Sequence, residues 1–287
     1  MMENFNENRG YYWLMVCLTP IGGLSFPIVR FLLTVLAPFE LLSYRLGLGA
    51  IALILLSPKS FFTATNLEIK GGLVSGLFFG SAMGLLVYGM QTTGGGQAAF
   101  ILSTQVVMVP ILRRLIWKEK FENKFKIAIG ICFVGLVILT FRPDVGFRLA
   151  DGFIFLAAFC VALFSISNSH FNSKPNVRTL PMGIWQIFSA GSGMFILANV
   201  TGNPSWKIPN DMWFALIFLI LISTSFRYIV QLKLQSKLSA TITGLIFTLE
   251  PVWATLFSFI WLKESMSLYE FLGSLIIFIG LFAAKSR

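Results

Sequence analysis

The sequence predicts an all-α integral membrane protein: ten transmembrane helices arranged as a 5+5 inverted repeat. Three observations carry that prediction. Of the 287 residues, 56% are apolar and only 12% charged. A soluble domain carries about 25% charged residues, so this chain has too little polar surface to cover a globule in water. Apolar runs of membrane-spanning length recur ten times, and part of the first half returns in the second at an offset of 145 residues.

A helix needs about 20 residues to cross the hydrocarbon core. Runs of that kind occupy 11–32, 39–57, 69–90, 96–117, 124–141, 150–171, 179–200, 211–235, 239–262 and 266–284. The first follows a polar stretch and is not followed by a small-residue cleavage site, so it reads as a retained span and not a signal peptide. Pro20, Gly22, Gly23 and Pro27 predict that this span is broken or kinked. The second span carries Glu40 near its outer edge and Arg45 two turns inside. In the third, Gly72, Gly76, Gly80 and Gly84 fall every four residues, on one gently winding face. Such a face lets another helix approach to backbone contact. The fourth span ends at Arg113 and Arg114, which read as topology anchors, and the sixth ends at His170, an interface residue. Arg227 lies within the eighth span and Glu250, followed by Pro251, near the centre of the ninth. The gaps are too short to hold a soluble domain.

The net charge of +10 is spread over these short gaps. No basic stripe with interleaved aromatic residues exists, so no nucleic-acid partner is expected. The charge instead reports orientation. With ten spans, the side of the termini holds twelve loop Lys and Arg residues and the other side five. That bias places both termini in the cytoplasm, with the lipid bilayer of the cell inner membrane as the protein's solvent. Cys17, Cys132 and Cys160 fall inside apolar runs with no CxxC pair, which indicates packing and not a disulfide or a metal site.

The repeat is clearest where 102–119, LSTQVVMVPILRRLIWKE, aligns without gaps on 247–264, FTLEPVWATLFSFIWLKE. Ser103 meets Thr248, Gln105 meets Glu250 and Glu119 meets Glu264, and the same offset carries Gly135 onto Gly280. The halves are 1–145 and 146–287, within one membrane domain. Five spans is an odd number, so the halves are inverted. Inverted repeats are a hallmark of secondary transporters, whose solute site lies between the halves at the midplane. Two similar halves of opposite orientation have two mirror-related arrangements of nearly equal energy, one open to each side.

The stretches AAFILSTQVVMVPIL (98–112) and SATITGLIFTLEPVWATLFSFIWLKES (239–265) resemble the two signature regions of the EamA-type family of drug/metabolite transporters. Gly273, Gly280 and Arg45 fit the same pattern, and the resemblance covers essentially the whole chain. It implies ten helices, a central cavity and transport of a small metabolite. Members of the family carry amino acids, nucleotide derivatives, sugar-linked compounds and drugs. Some smaller relatives couple to protons through an acidic residue in the opening helix, and this chain has none there.

Candidate site residues are the polar groups at membrane depth, where a charge is costly and faces a cavity or a partner. Glu250 suits a cation, a proton or a substrate amine, or else locks two helices together through Arg227; the resemblance implies the same Glu-Pro pair. Pro251 leaves the Phe247 carbonyl without its helical donor. Arg227 suits a substrate carboxylate or phosphate, with Tyr228 stacking beside it, or a salt bridge to Glu250. Arg45 reads as an interhelical anchor. Gln105, the mate of Glu250, together with Ser103, Asn168, Tyr88 and Trp253, completes the expected cavity lining. No cofactor, metal or catalytic residue is expected: one histidine excludes HExxH, and neither GxSxG nor a P-loop is present. The expected activity is secondary transport of a small organic metabolite, such as an amino acid or nucleotide-like solute, by alternating access. The alternative is a membrane-embedded structural protein or enzyme without transport. A coupling proton or ion and pairing into a homodimer stay open.

Overall fold

A computed structural model describes residues 9–118, 148–202, 204–235, 249–264 and 267–285, together with 127, 130–131, 133–135, 137–138 and 246–247. All of the secondary structure among the described residues is helical. In chain order the helices are α1 (Arg9–Leu32), α2 (Pro38–Leu56), the short α3 (Pro58–Phe62), α4 (Asn66–Gly89), α5 (Gly95–Ser103) and α6 (Gln105–Trp117), followed by α7 (Leu149–Asn172), α8 (Thr179–Thr201), α9 (Asn210–Leu234), α10 (Glu250–Leu262) and α11 (Leu268–Lys285). Seven spans among the described residues are long and apolar enough to cross a membrane, α5 and α6 together forming one of them. Most of the expected span at 124–141, the first part of the one at 239–262, the 119–126 loop and Cys132 lie outside the described residues. Cys17 and Cys160 are free thiols.

Local chemistry sets the helix ends. Thr65 and Glu68 form a capping box at the start of α4: the Thr65 hydroxyl accepts from the Glu68 N–H, and the carboxylate accepts from the Thr65 N–H. Pro38 and Pro58 stand in the first turns of α2 and α3, where a missing N–H breaks no helical bond. α6 and α10 are both thirteen residues long and both stop at a lysine in the left-handed region, Lys118 (φ 54°) and Lys263 (φ 53°).

α1 is not broken. It runs as one helix through Pro20 and Pro27. A proline at position 20 leaves the Val16 carbonyl without its backbone donor, and the Thr19 hydroxyl donates to that carbonyl at 2.8 Å. A side-chain hydroxyl thus replaces the missing bond, as membrane helices require when no water is present.

α4 lies between α7 and α8, and α1 packs along α10. The α4–α8 contact is backbone-close. A Cβ built on Gly76 would stand 2.5 Å from the Gln186 carbonyl oxygen, and one on Gly72 2.5 Å from Trp185 Cβ. At Gly80 the nearest atom is Ala190 Cα at 3.2 Å, and at Gly84 it is Phe39 Cε1 at 3.4 Å, an ordinary contact. Many large apolar side chains point outward, among them Leu55, Phe62, Val200 and Phe214, while others, such as Leu41, Met90, Ile154 and Met182, are fully buried. Inside lie small and polar residues, including Ser75, Gln186, Ser223, Thr224 and Ser225.

Two spans contain π-helical turns: Ser43–Leu48 within α2 and Phe218–Phe226 within α9. Nothing in the sequence reading anticipates them. The two segments touch one another and bring Arg45 and Arg227 into one region of the bundle.

Candidate functional site

Glu250 opens α10, twelve residues from the helix end at Leu262. At about 1.5 Å per residue that places it about 18 Å from that end, close to the middle of a ~30 Å core. A carboxylate in the first turn of a helix sits at the positive end of the peptide dipoles, which offsets part of its desolvation. Pro251 falls in that same first turn, so its missing N–H removes no bond from within α10.

Arg227 follows directly on the π-helical turns of α9. Its Nη2 donates to Glu250 Oε1 in a close ion pair. The pair is neither sealed nor open: the side chains are 15% and 19% exposed. The guanidinium also lies over the Phe247 ring, 5.7 Å from its centroid. α1 supplies the wall behind the pair. A Cβ on Gly22 would stand 2.6 Å from Glu250 Oε1 and 2.8 Å from Arg227 Cζ. Only a residue without a side chain lets both charged groups lie against the α1 backbone. The adjacent Gly23 gives the same room to Trp253, and Trp253 Nε1 donates to Thr19 Oγ1 at 3.1 Å.

Arg45 reaches the same helix one turn earlier. Its Nε donates to Thr224 Oγ1 at 3.1 Å and its Nη2 lies 3.4 Å from Ser223 Oγ. Glu40, on the same helix, is buried and engaged elsewhere, accepting from the Trp206 N–H at 2.8 Å. The Tyr228 ring lies against Gly183 of α8, and among the described residues its hydroxyl has no hydrogen-bond partner; Arg227 Nε has none there either. Gln186, three residues further along α8, is fully buried, and neither of its amide atoms has a partner among the described residues.

The remaining sequence candidates have contacts of their own. Gln105 opens α6 as Glu250 opens α10. The Ser103 hydroxyl donates to the Ala99 carbonyl of its own helix at 2.8 Å, a common use for a hydroxyl in a membrane helix. Asn168 is held by Asn172, whose Nδ2 donates to its backbone carbonyl at 2.9 Å and to its Oδ1 at 3.1 Å. Tyr88 is 45% exposed and packs its ring on Phe39 and Phe153.

Sequence reasoning missed a second polar group near the far end of α10. Arg30 Nη1 donates to the carbonyls of Met90, at 2.6 Å, and Gln91, while its Nε lies 3.9 Å from Glu264 Oε1. Glu264 Oε2 accepts from the Gly95 N–H at 3.1 Å. Arg30, Thr34, Gln91, Leu262 and Glu264 line a cavity of about 360 Å³. The only sequence signal was Glu264 as the repeat mate of Glu119.

Comparison with known proteins agrees with this architecture. The EamA-like transporter family matches the chain twice, over residues 9–141 and 148–284. An uncharacterized transporter of Archaeoglobus fulgidus is 26% identical over 275 residues, covering 93% of this chain and 83% of that protein. The uncharacterized transporter YoaV of Bacillus subtilis is 23% identical over 277 residues, covering 93% and 94%. One solved crystal structure superposes with a TM-score of 0.65 at 14% identity, over 94% of this chain and 95% of the other, a likeness of fold alone. Two family matches that together span almost the whole length, on a bundle of apolar helices, lead to one conclusion: this is a multi-pass membrane protein and belongs to the EamA-like transporter family.

Proposed function

We propose that the protein is a secondary transporter that moves a small organic metabolite across the cell inner membrane by alternating access, with the solute bound at Arg227 and Glu250. The observation that carries this reading is the part-open ion pair at membrane depth, seated on Gly22 at the start of α10. Two opposite charges side by side each cost less than either alone, and the part-exposed side chains stay available to a polar solute.

The reading includes ten spans in two inverted halves, 1–145 and 146–287. Its support is the repeated design of α6 and α10. They begin at Gln105 and Glu250, run thirteen residues each to Trp117 and Leu262, and are capped by Lys118 and Lys263, always 145 positions apart. The family matches fall on the same two halves. Both termini are then cytoplasmic and Lys263 is extracytoplasmic.

Two measurements test this. Purified protein in liposomes shows saturable uptake stimulated by counterflow; unsaturable flux, or none with a broad metabolite mixture, removes the carrier reading. A Lys263→Cys variant, with Cys17, Cys132 and Cys160 replaced, reacts with an impermeant thiol reagent added from outside the cell. Labelling only from the cytoplasm removes the inverted repeat.

A further inference from the structure

We infer that the site selects a solute of net negative charge, whose carboxylate or phosphate oxygens are held between Arg45 and Arg227. This rests on the reading of Arg227 and Glu250 as the solute site and adds the chemical class of the solute.

The charges do not balance without such a solute. Arg227 is paired with Glu250. Arg45 bonds only to neutral hydroxyls, and among the described residues no carboxylate lies within 4.0 Å of its guanidinium. It is not turned toward the lipid headgroups, because Thr224 and Ser223 draw it inward onto α9. Two guanidiniums and one carboxylate leave one positive charge in a region where an uncompensated charge is costly. Arg45 lies within Coulombic reach of both Arg227 and Glu250, so the three groups form one electrostatic unit.

The unused hydrogen bonds point the same way. Among the described residues, the buried side-chain atoms of α9 without a partner are Arg227 Nε and the Tyr228 hydroxyl. The first is a donor only, and the second donates readily. A guanidinium that keeps a spare N–H beside an unbalanced positive charge is complementary to an acceptor-rich anion. Guanidinium groups meet carboxylate and phosphate with two parallel hydrogen bonds.

The geometry makes a shared oxyanion reasonable. Thr224 and Ser223, which hold Arg45, precede Arg227 by three and four residues on α9, so the two guanidiniums reach that helix about one turn apart along its length. Without an anion the two cations repel; an oxyanion between them replaces that repulsion with two attractions. A zwitterion leaves the excess positive charge in place, and its ammonium competes with Arg227 for Glu250. A cation adds to the imbalance.

The test compares probes of one shape and different charge on purified protein at constant ionic strength: benzoate, phenyl phosphate, benzamide, benzylamine and phenylalanine. The aromatic ring suits the Phe247 and Trp253 side of the pair. Ligands that bind the folded state raise its thermal midpoint by mass action. Benzoate or phenyl phosphate is expected to raise the midpoint in a dose-dependent way, and which of the two is stronger separates carboxylate from phosphate. Benzamide, benzylamine and phenylalanine are expected to need at least tenfold higher concentration. Arg45→Gln should weaken the anion at least tenfold while leaving the unliganded midpoint near wild type, and Arg45→Lys should fall between. Stabilisation by benzylamine, benzamide or phenylalanine equal to that by the anions overturns the inference. So does a lack of response to both anions, or an Arg45→Gln variant that binds benzoate like wild type. If Arg45→Gln does not fold, the wild-type ratio of benzoate to benzamide decides alone. Counterflow in liposomes separates this from the transport reading. An anion that binds without exchange leaves the charge selectivity standing and removes transport; exchange of a neutral or cationic probe in preference to the anions does the reverse.

Discussion

Adding one methyl group at successive glycines of α4 should give a graded loss of stability that follows the distance to α8. At Gly76 the new Cβ would stand 2.5 Å from the Gln186 carbonyl oxygen and 2.7 Å from Ser189 Cβ. Both atoms belong to or adjoin the backbone, so neither swings away, and α4 and α8 must separate. Overpacking of that kind costs about 1–3 kcal/mol. The higher helix propensity of alanine returns about 1 kcal/mol, so Gly76→Ala should lose up to about 2 kcal/mol net. Gly72→Ala, 2.7 Å from the Met182 carbonyl oxygen, should lose a similar amount. Gly80→Ala, at 3.2 Å, should lie near zero, and Gly84→Ala, with nothing nearer than 3.4 Å, should be neutral or up to about 1 kcal/mol more stable. Thermal unfolding of the purified variants reads this directly, since 1 kcal/mol moves the midpoint of a chain this size by roughly 2–4 °C. The order of the four variants is the test. A Gly84→Ala variant as damaged as Gly76→Ala, or a Gly76→Ala variant at the wild-type midpoint, would mean that the α4–α8 approach is not what limits stability.

Other expectations concern the site and its supports. Gly22→Ala places a methyl 2.6 Å from Glu250 Oε1 and should reduce transport at least tenfold; Gly193→Ala, whose Cβ meets nothing within 4 Å, should transport like wild type. Glu250→Gln and Arg227→Gln should each abolish transport, and the double variant should regain wild-type stability but not activity if the pair binds solute; regained activity would make the pair purely structural. Trp253→Phe removes the bond to Thr19 and should cost about 1 kcal/mol in thermal unfolding. The fully buried Glu68 carboxylate accepts from the Arg178 N–H, Nε and Nη2 and from the Thr65 N–H. Glu68→Ala should therefore cost about 2–3 kcal/mol, the exposed side of Arg178 moderating the loss.

Where the chain enters and leaves the helices was readable in the sequence, because apolar runs end where polar groups meet water; α4, α7 and α8 begin and end within three residues of the expected limits. The close helix–helix face of α4 was readable only in outline. Four residues turn about 400° on a helix of 3.6 residues per turn, so each glycine lags the last by about 40°. By Gly84 the row has wound off the contact that Gly72 makes. Of the break or kink expected in α1, the break does not occur, because the Thr19 hydroxyl closes the gap that Pro20 leaves at the Val16 carbonyl. The surroundings of Arg45 were hidden by distance along the chain. Its partner Thr224 lies 179 residues away, and no spacing rule joins them. The π-helical turns left no mark either: SYRLGL and FLILISTSF contain no proline, and the single glycine lies near the end of its segment.

Those turns change what a length mutation does here. A π turn closes its hydrogen bonds one residue later than an α turn, so it holds one residue more than a regular helix would use. Deleting a residue from Phe218–Phe226 lets α9 relax into regular α-helix instead of breaking it. Downstream of a single deletion in an ordinary helix, every side chain rotates by about 100°. In α9 the extra residue sets the phase between Thr224, which faces α2, and Arg227, which faces α1 and α10. A one-residue deletion at Leu221 should therefore leave a well-formed span that inserts normally and keeps Arg227 on its side of the helix, while Thr224, inside the former π segment, turns relative to Arg227 and to Arg45. The surplus residue works as a phase setting for the helix, and a protein that keeps its length in the membrane while losing this setting would have the right topology and a misaligned site.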